Sequence, residues 1–465
     1  MMAGIGFALK KLSSQDNLAS RSLAGGHAIM IASGPWIVIM VGLAMLHILG
    51  RPLLDPMDLK VFSILVIYSF ALSLVITSPI SLDATLRVSR ILFQRRFEEV
   101  HGIYLAAVFI TTLLSLIGGT VVFFLLIGLP LGLGLAAIIC VVQVSHLWLA
   151  MSFVAAIKQY GTVTSAFALG LSCSIIFGTS AAALGNGPGG MLIGFSIGLC
   201  ISFCILNFLI LKTFPGPLTA LRDLPAKLRE MRPVSATFIA AGVCSALAVW
   251  IDKIIVWQSN EGTAVADGLI YSARYDSPMF MAYLSIVPVM SILVVWLETT
   301  FFNNYRHYRD IVHSGGTLRQ IDEQRASLAQ NAVDTVFSAF LIQLTISVSL
   351  AVMAPLLADL LGLPYDAISV LRLALVGAAF HFLFQASCGV ILFVQYGKAY
   401  LWLQVLFLVL NAAGTAIMLS NPDYLGLGYV LASIASGTLA YAAMRQALGT
   451  LNRLTFVVNN PAISG

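Results

Sequence analysis

Apolar runs of roughly 20 residues, each long enough to cross a bilayer as a helix, recur along the whole chain. They fall near 26–49, 61–82, 103–128, 133–157, 162–185, 190–212, 235–257, 279–302, 332–361, 367–394, 398–420 and 424–446. Most of the breaks between them are short. Two are long and charged: DATLRVSRILFQRRFEEVHG (83–102) after the second span, and NNYRHYRDIVHSGGTLRQIDEQRASL (303–328) after the eighth. The pattern therefore returns after six spans, which predicts an all-α integral membrane protein of twelve helices built as two six-helix halves, an arrangement common among transporters. The expected organisation is an amphipathic arm over 1–25, one bundle over 26–211, a linker over 212–233, a second bundle over 234–447 and a tail over 448–465. The linker spaces Leu218, Leu221, Leu224 and Leu228 along one face against basic residues, and the arm does the same with Ile5, Leu9 and Leu12, so both are expected to lie on the membrane surface.

Composition agrees with the pattern. The chain has 465 residues, 59% hydrophobic and 10% charged, with a mean hydropathy of +0.95. A soluble protein carries about a quarter charged residues. The first apolar run is preceded by basic residues, but it is too long for a cleaved signal peptide and reads as a first span. With the N-terminus inside, twenty of the 25 basic residues fall on cytoplasmic segments. Only Arg51, Lys60, Lys253 and Arg274 fall outside, and Arg372 lies within a span. That positive-inside bias predicts two cytoplasmic termini.

Three common catalytic patterns are absent. The sequence contains no GxxxxGK[ST], DxD or HExxH, and its loops are too short to fold an active-site domain. The six cysteines (Cys140, Cys173, Cys200, Cys204, Cys244, Cys388) sit in apolar segments without metal-ligand spacing, so neither a disulfide framework nor a cofactor is expected. Gly190, Gly194 and Gly198 repeat at four-residue spacing in the sixth span, which reads as a close helix-packing face.

Polar side chains inside the spans are the candidates for function, because ionisable groups are costly there. Gln143 and His146 lie at i, i+3 in the fourth span, and His381 and Gln385 at i, i+4 in the tenth, its equivalent in the second half. The matched positions suggest a polar layer along a substrate path; hydrogen bonding to neighbouring helices is the structural alternative. Asp83, Arg87 and Glu298 occupy matched places at the inner ends of the second and eighth spans and could line a cytoplasmic mouth, or the acids could simply pair with arginines such as Arg87 and Arg306.

The stretch WIDKIIVW (250–257) places an Asp and a Lys in an apolar run. Asp252 is about 25 Å along its helix from Ser235, near the outer interface. Lys253 shares a face with Trp250 and Trp257, which suggests a snorkelling lysine in an aromatic belt. The other reading joins Asp252 and Lys253 to Arg274 and Asp276 as a polar outer exit.

Several stretches carry a resemblance. MAGIGFALKKL (2–12), IASGPW (31–36), RYDSPMFMAYLSIVP (274–288), LETTFFNNYRHYRD (297–310) and SGGTLRQI (314–321) resemble, in order and spacing, the PelG family of inner-membrane exopolysaccharide exporters. The resemblance implies the multidrug/oligosaccharidyl-lipid/polysaccharide flippase superfamily, with two six-helix bundles in a V. It also implies a cargo, the N-acetylgalactosamine-rich Pel polymer of the biofilm matrix, made on the cytoplasmic side by the glycosyltransferase PelF. PelD and PelE would hold the complex together, with cyclic-di-GMP sensed by PelD. A drug antiporter of the same superfamily would be expected to place a cation- or proton-binding acid deep in one bundle, whereas no Asp or Glu occupies the middle third of any span. A lipid-linked oligosaccharide flippase would need basic residues in a central cavity, and Arg372 is the one candidate. A scaffold would not require the matched polar layers, and a synthase would need sugar-nucleotide motifs.

Overall fold

The structure is a computed structural model, and it describes residues 39–458 apart from 40, 94, 95, 97, 155, 156, 158, 159, 215, 217–234 and 267. The expected surface arm, most of the linker and the end of the tail lie outside the described residues. Among those described, eleven helices are long and apolar enough to cross a membrane, and a shorter apolar helix, α1 (Val41–Gly50), covers the end of the first expected span.

The helices follow the apolar runs because a buried backbone in lipid must satisfy its own hydrogen bonds. They are α2 (Pro56–Phe93), α3 (Glu98–Thr120), α4 (Leu131–Val154), α5 (Tyr160–Ala183), α6 (Gly187–Thr213) and α7 (Ala236–Trp257). A two-stranded antiparallel hairpin follows, β1 (Thr263–Ala266) and β2 (Leu269–Tyr271). The remainder are α8 (Asp276–Trp296), α9 (Phe302–His313), α10 (Leu318–Val352), α11 (Ala354–Leu361), α12 (Ala367–Phe393), α13 (Gly397–Met418) and α14 (Leu427–Gly449).

Both long charged segments turn out to be largely helical. α2 runs past the expected end of its span to Phe93. In the second half, a π-helical turn over Leu297–Phe301 joins α8 to α9, and a tight turn leads into α10. A capping box starts α10: the Thr317 side chain accepts from the Gln320 backbone N–H, and the Gln320 side chain reaches back to Thr317. The ninth expected span, 332–361, is broken at Met353, after which α11 runs to a cap at Gly362 with φ +65°.

The chain divides into two compact units. The first holds the described residues up to Leu247 together with the hairpin; the second holds Ala248–Gly262 and the chain from Ser272 onward. Within the first unit the hairpin is tied to α2, where the Tyr68 hydroxyl donates to the Ile270 carbonyl at 2.9 Å. Its centre is α4, with 67% of its apolar stretch buried against 22% for α3. In the second unit the central helix is α12, 72% buried by the same measure. The end of that unit carrying α9 is stitched to the C-terminal segment: the buried Tyr308 hydroxyl donates to Asn452 Oδ1 (2.8 Å), Asn452 Nδ2 donates to Asp322 Oδ1 (2.8 Å), and Arg325 donates to the Gly449 carbonyl (2.9 Å).

Candidate functional site

The strongest concentration of buried polar chemistry lies in the second unit, where α7 ends and α8 begins. Asp252 is fully buried and Lys253 is 6% exposed. Adjacent side chains on a helix leave it about 100° apart. These two nevertheless meet, because the lysine stem bends back: Nζ lies 3.2 Å from Asp252 Oδ1 and 3.1 Å from Oδ2. The ammonium also donates to the Val249 carbonyl at 3.0 Å and sits over the rings of Tyr283 (4.9 Å) and Trp250 (5.7 Å). The Tyr275 hydroxyl donates to Asp252 Oδ2 at 2.8 Å. Lys253 therefore does not snorkel. A carboxylate, a carbonyl and two aromatic faces inside its own unit satisfy it better than a route to the interface would.

One turn further on, Asp276 accepts from the Trp257 indole N–H and from the Ser272 backbone N–H, both at 2.9 Å and both to Oδ2. Its Oδ1 is buried without a hydrogen-bond partner among the described residues, as is Trp250 Nε1. Arg274, although between these groups in sequence, points to a different set: it is 3.5 Å from Glu261 and 3.4 Å from Asp366. Two acids, Asp252 and Asp276, are thus deeply buried although the one-dimensional reading put neither in mid-span.

The network reaches α12 through aromatic rings. His381 is 1% exposed and is walled by Phe407 (4.8 Å), Tyr283 (5.4 Å) and Tyr429 (5.9 Å). Gly377, one turn earlier on α12, leaves the room the Tyr429 ring needs: a Cβ there would lie 2.5 Å from that ring. The Gln385 amide nitrogen is 2.7 Å from His381 Nε2. With the amide donating, the imidazole proton sits on Nδ1, which has no hydrogen-bond partner among the described residues.

In the first unit, His146 on α4 is buried and stacked on Phe203 of α6, with ring centroids 4.7 Å apart. The Thr112 hydroxyl of α3 donates to the Val108 carbonyl at 2.8 Å, so its lone pair accepts from His146 Nε2, also at 2.8 Å. That bond assigns the proton to Nε2. Gln143, a turn before, is half-buried, and its Oε1 has no partner among the described residues.

At the expected inner ends, Arg87 holds Asp83 in an i, i+4 ion pair of 2.6 Å. Glu298 lies half-buried in the π-helical turn at the α8–α9 junction. Among the described residues no group of three His, Cys, Asp or Glu is arranged to hold a metal ion.

Sequence reasoning found the two histidines, the Gln385 partner of His381 and the Asp252–Lys253 pair, but missed the other partners. Tyr275 and Tyr283 were within reach of it, since both belong to the singled-out stretch RYDSPMFMAYLSIVP. Thr112, Phe203, Phe407 and Tyr429 left no comparable signal, because each comes from another helix.

Residues 2–456 match the PelG family, described as "Putative exopolysaccharide Exporter (EPS-E)". No curated protein matches the chain. Among solved structures, the fold is similar to a MATE transporter in the bent conformation (TM-score 0.60, 15% identity, 97% of each chain covered). It is also similar to an outward-facing multidrug resistance MATE family transporter of the MOP superfamily (TM-score 0.59, 16% identity, 92% of this chain and 96% of that one). A third is a MOP superfamily transporter from Pyrococcus furiosus whose binding pocket is described as having reverse polarity (TM-score 0.57, 14% identity, 92% and 96% covered).

Proposed function

We propose that this chain, which belongs to the PelG family of exopolysaccharide exporters, moves a nascent, N-acetylgalactosamine-rich polysaccharide across the bacterial inner membrane, with both termini in the cytoplasm. The observation that carries the reading is the family match over residues 2–456, joined to a multi-pass helical fold of the transporter type. In this reading the chain is a conduit rather than a catalyst. The glycosyltransferase PelF supplies polymer at the cytoplasmic face, and PelD and PelE complete the membrane assembly.

Within the chain, Gln143 and His146 of the first unit and His381 and Gln385 of the second are the residues proposed to meet the cargo. Each histidine belongs to the most buried helix of its unit and is packed against aromatic rings. Neutral imidazole and amide groups beside aromatic faces suit a polymer rich in hydroxyls and N-acetyl groups, because they offer hydrogen bonds without demanding a counter-charge. Asp83, Arg87 and Glu298 are proposed to flank the cytoplasmic mouth, and Asp252, Lys253, Arg274 and Asp276 to stiffen the other end.

The test is complementation of a strain lacking the gene, with extracellular polymer quantified and membrane abundance checked for each variant. Wild type should restore secretion, and the His146→Ala/His381→Ala double variant should not, at equal abundance. Unchanged polymer with wild type would remove the exporter reading; full secretion by the double variant would remove the histidines from the path.

A second reading, a drug antiporter, would be expected to place a cation- or proton-binding acid deep in one bundle; Asp252 is a buried acid of the second unit, but one already paired with Lys253.

A further inference from the structure

The environment of Asp252 decides what that acid can do. A carboxylate withdrawn from water costs several kcal/mol unless a cation and hydrogen bonds replace its hydration. Here both oxygens face the Lys253 ammonium, at 3.2 and 3.1 Å, and Oδ2 also accepts from Tyr275. Seen from the ammonium, the shell is equally complete: a carboxylate, the Val249 carbonyl at 3.0 Å, and the faces of Tyr283 and Trp250. A carboxylate, a backbone carbonyl and aromatic faces are the groups that bind a monovalent cation inside a protein. The cation is covalently tethered one residue from the carboxylate, so its effective concentration there is far above that of any dissolved ion. A sodium ion could enter only by stranding the ammonium in the same interior.

We infer that Asp252 forms a monovalent-cation site whose cation is the chain's own Lys253 ammonium, which closes the site to sodium and potassium. Coupled to the export reading, on which this consequence rests, the closure means that polymer movement draws nothing from a sodium or potassium gradient through this carboxylate. A lysine here thus separates the chain from an antiporter that loads and unloads an exchangeable cation on its buried acid.

The experiment uses the purified full-length chain in detergent, with thermal unfolding and binding of radioactive sodium measured in sodium chloride against choline chloride. Wild type should unfold at the same temperature in both salts and bind no sodium. Lys253→Met leaves the carboxylate and its shell without a cation. It should be less stable than wild type in choline, recover by roughly 2 °C or more as sodium saturates, and bind about one sodium per chain. Asp252→Asn/Lys253→Met should lose all sodium dependence. Saturable sodium binding by wild type that disappears with Asp252→Asn would overturn the closure. A Lys253→Met variant indifferent to sodium would overturn the cation site. So would one that cannot be recovered in either salt while the double variant folds. None of these readings depends on polymer, so they stand or fall separately from the export assay.

Discussion

Replacing Gly194 by alanine adds a single methyl group where the backbones of two helices touch. A Cβ at this position of α6 would lie 2.5 Å from Gly178 N and Phe177 C and 2.6 Å from the Phe177 carbonyl oxygen. All three are backbone atoms of α5, so no side chain can turn away. Ordinary contact begins near 3.4 Å, and the two helices must part by roughly 0.5–0.9 Å. Overpacking of this kind costs about 1–3 kcal/mol. Separation also stretches two interhelical bonds, Ser174 to the Phe195 carbonyl at 2.8 Å and Ser202 to the Ala166 carbonyl at 3.1 Å. Such bonds contribute about 0.6 kcal/mol each within a membrane bundle. The sum is about 2–4 kcal/mol, or, for a chain of 465 residues, a fall of roughly 2–4 °C in the apparent Tm. Gly132 supplies the comparison: a Cβ there meets nothing within 4 Å, and Gly132→Ala should match wild type or rise slightly through helix propensity. Differential scanning fluorimetry of the three proteins in one detergent is the assay. Gly194→Ala unfolding within about 1 °C of wild type, or Gly132→Ala falling as far, would refute the packing argument.

Tyr275→Phe removes the hydroxyl that donates to the buried Asp252 carboxylate and should cost about 1.5–3 kcal/mol by the same assay, with the loss falling to about 0.5–1.5 kcal/mol when Asp252 is already Asn, whose amide oxygen is a neutral acceptor. Asp252→Asn alone should destabilise by about 3–5 kcal/mol because Lys253 is left as an uncompensated buried charge, whereas Asp252→Asn/Lys253→Met should recover most of that; a double variant as unstable as the single would contradict the ion-pair account. Tyr308→Phe breaks the link to Asn452 and should lower stability by about 0.5–1.5 kcal/mol while speeding proteolysis of the C-terminal segment in intact chain. Thr317→Ala loses the side-chain half of the capping box while its backbone N–H still donates to Gln320, and should cost about 1 kcal/mol, with amide exchange rising first in the opening turn of α10.

The legible part of the fold was the part written along one dimension. Hydrophobic length marks a helix in lipid whatever its neighbours are, and the starts of α4, α5, α6, α7, α8, α12, α13 and α14 fall within three residues of the apolar runs that predicted them. Charged breaks were read as loops because a polar stretch cannot lie in lipid. They proved helical because α9 and the start of α10 satisfy their backbones internally and pack through Tyr308 and Asn452 outside the apolar zone. The glycine repeat does form a helix-packing face: Cβ atoms on Gly194 and Gly198 would strike the α5 backbone, and one on Gly190 would press on Asn186 while still meeting Ala181 of α5 at 3.6 Å.

By itself the sequence determined the class of the protein, the order of its apolar spans, and the two histidines it carries in the fourth and tenth of them, since hydropathy, charge and spacing need no third dimension. Only the tertiary structure decided what the polar residues do. Lys253 looked like a snorkelling residue because distance along a helix sets depth but not which face is covered. It is buried because Tyr283 of α8 closes over it while its own helix supplies Trp250, Val249 and Asp252. His146 and His381 likewise take their proton positions from Thr112 and Gln385, and their walls from rings on other helices. Whether a buried charge is a functional site or a closed one depends on such neighbours, which packing alone brings together.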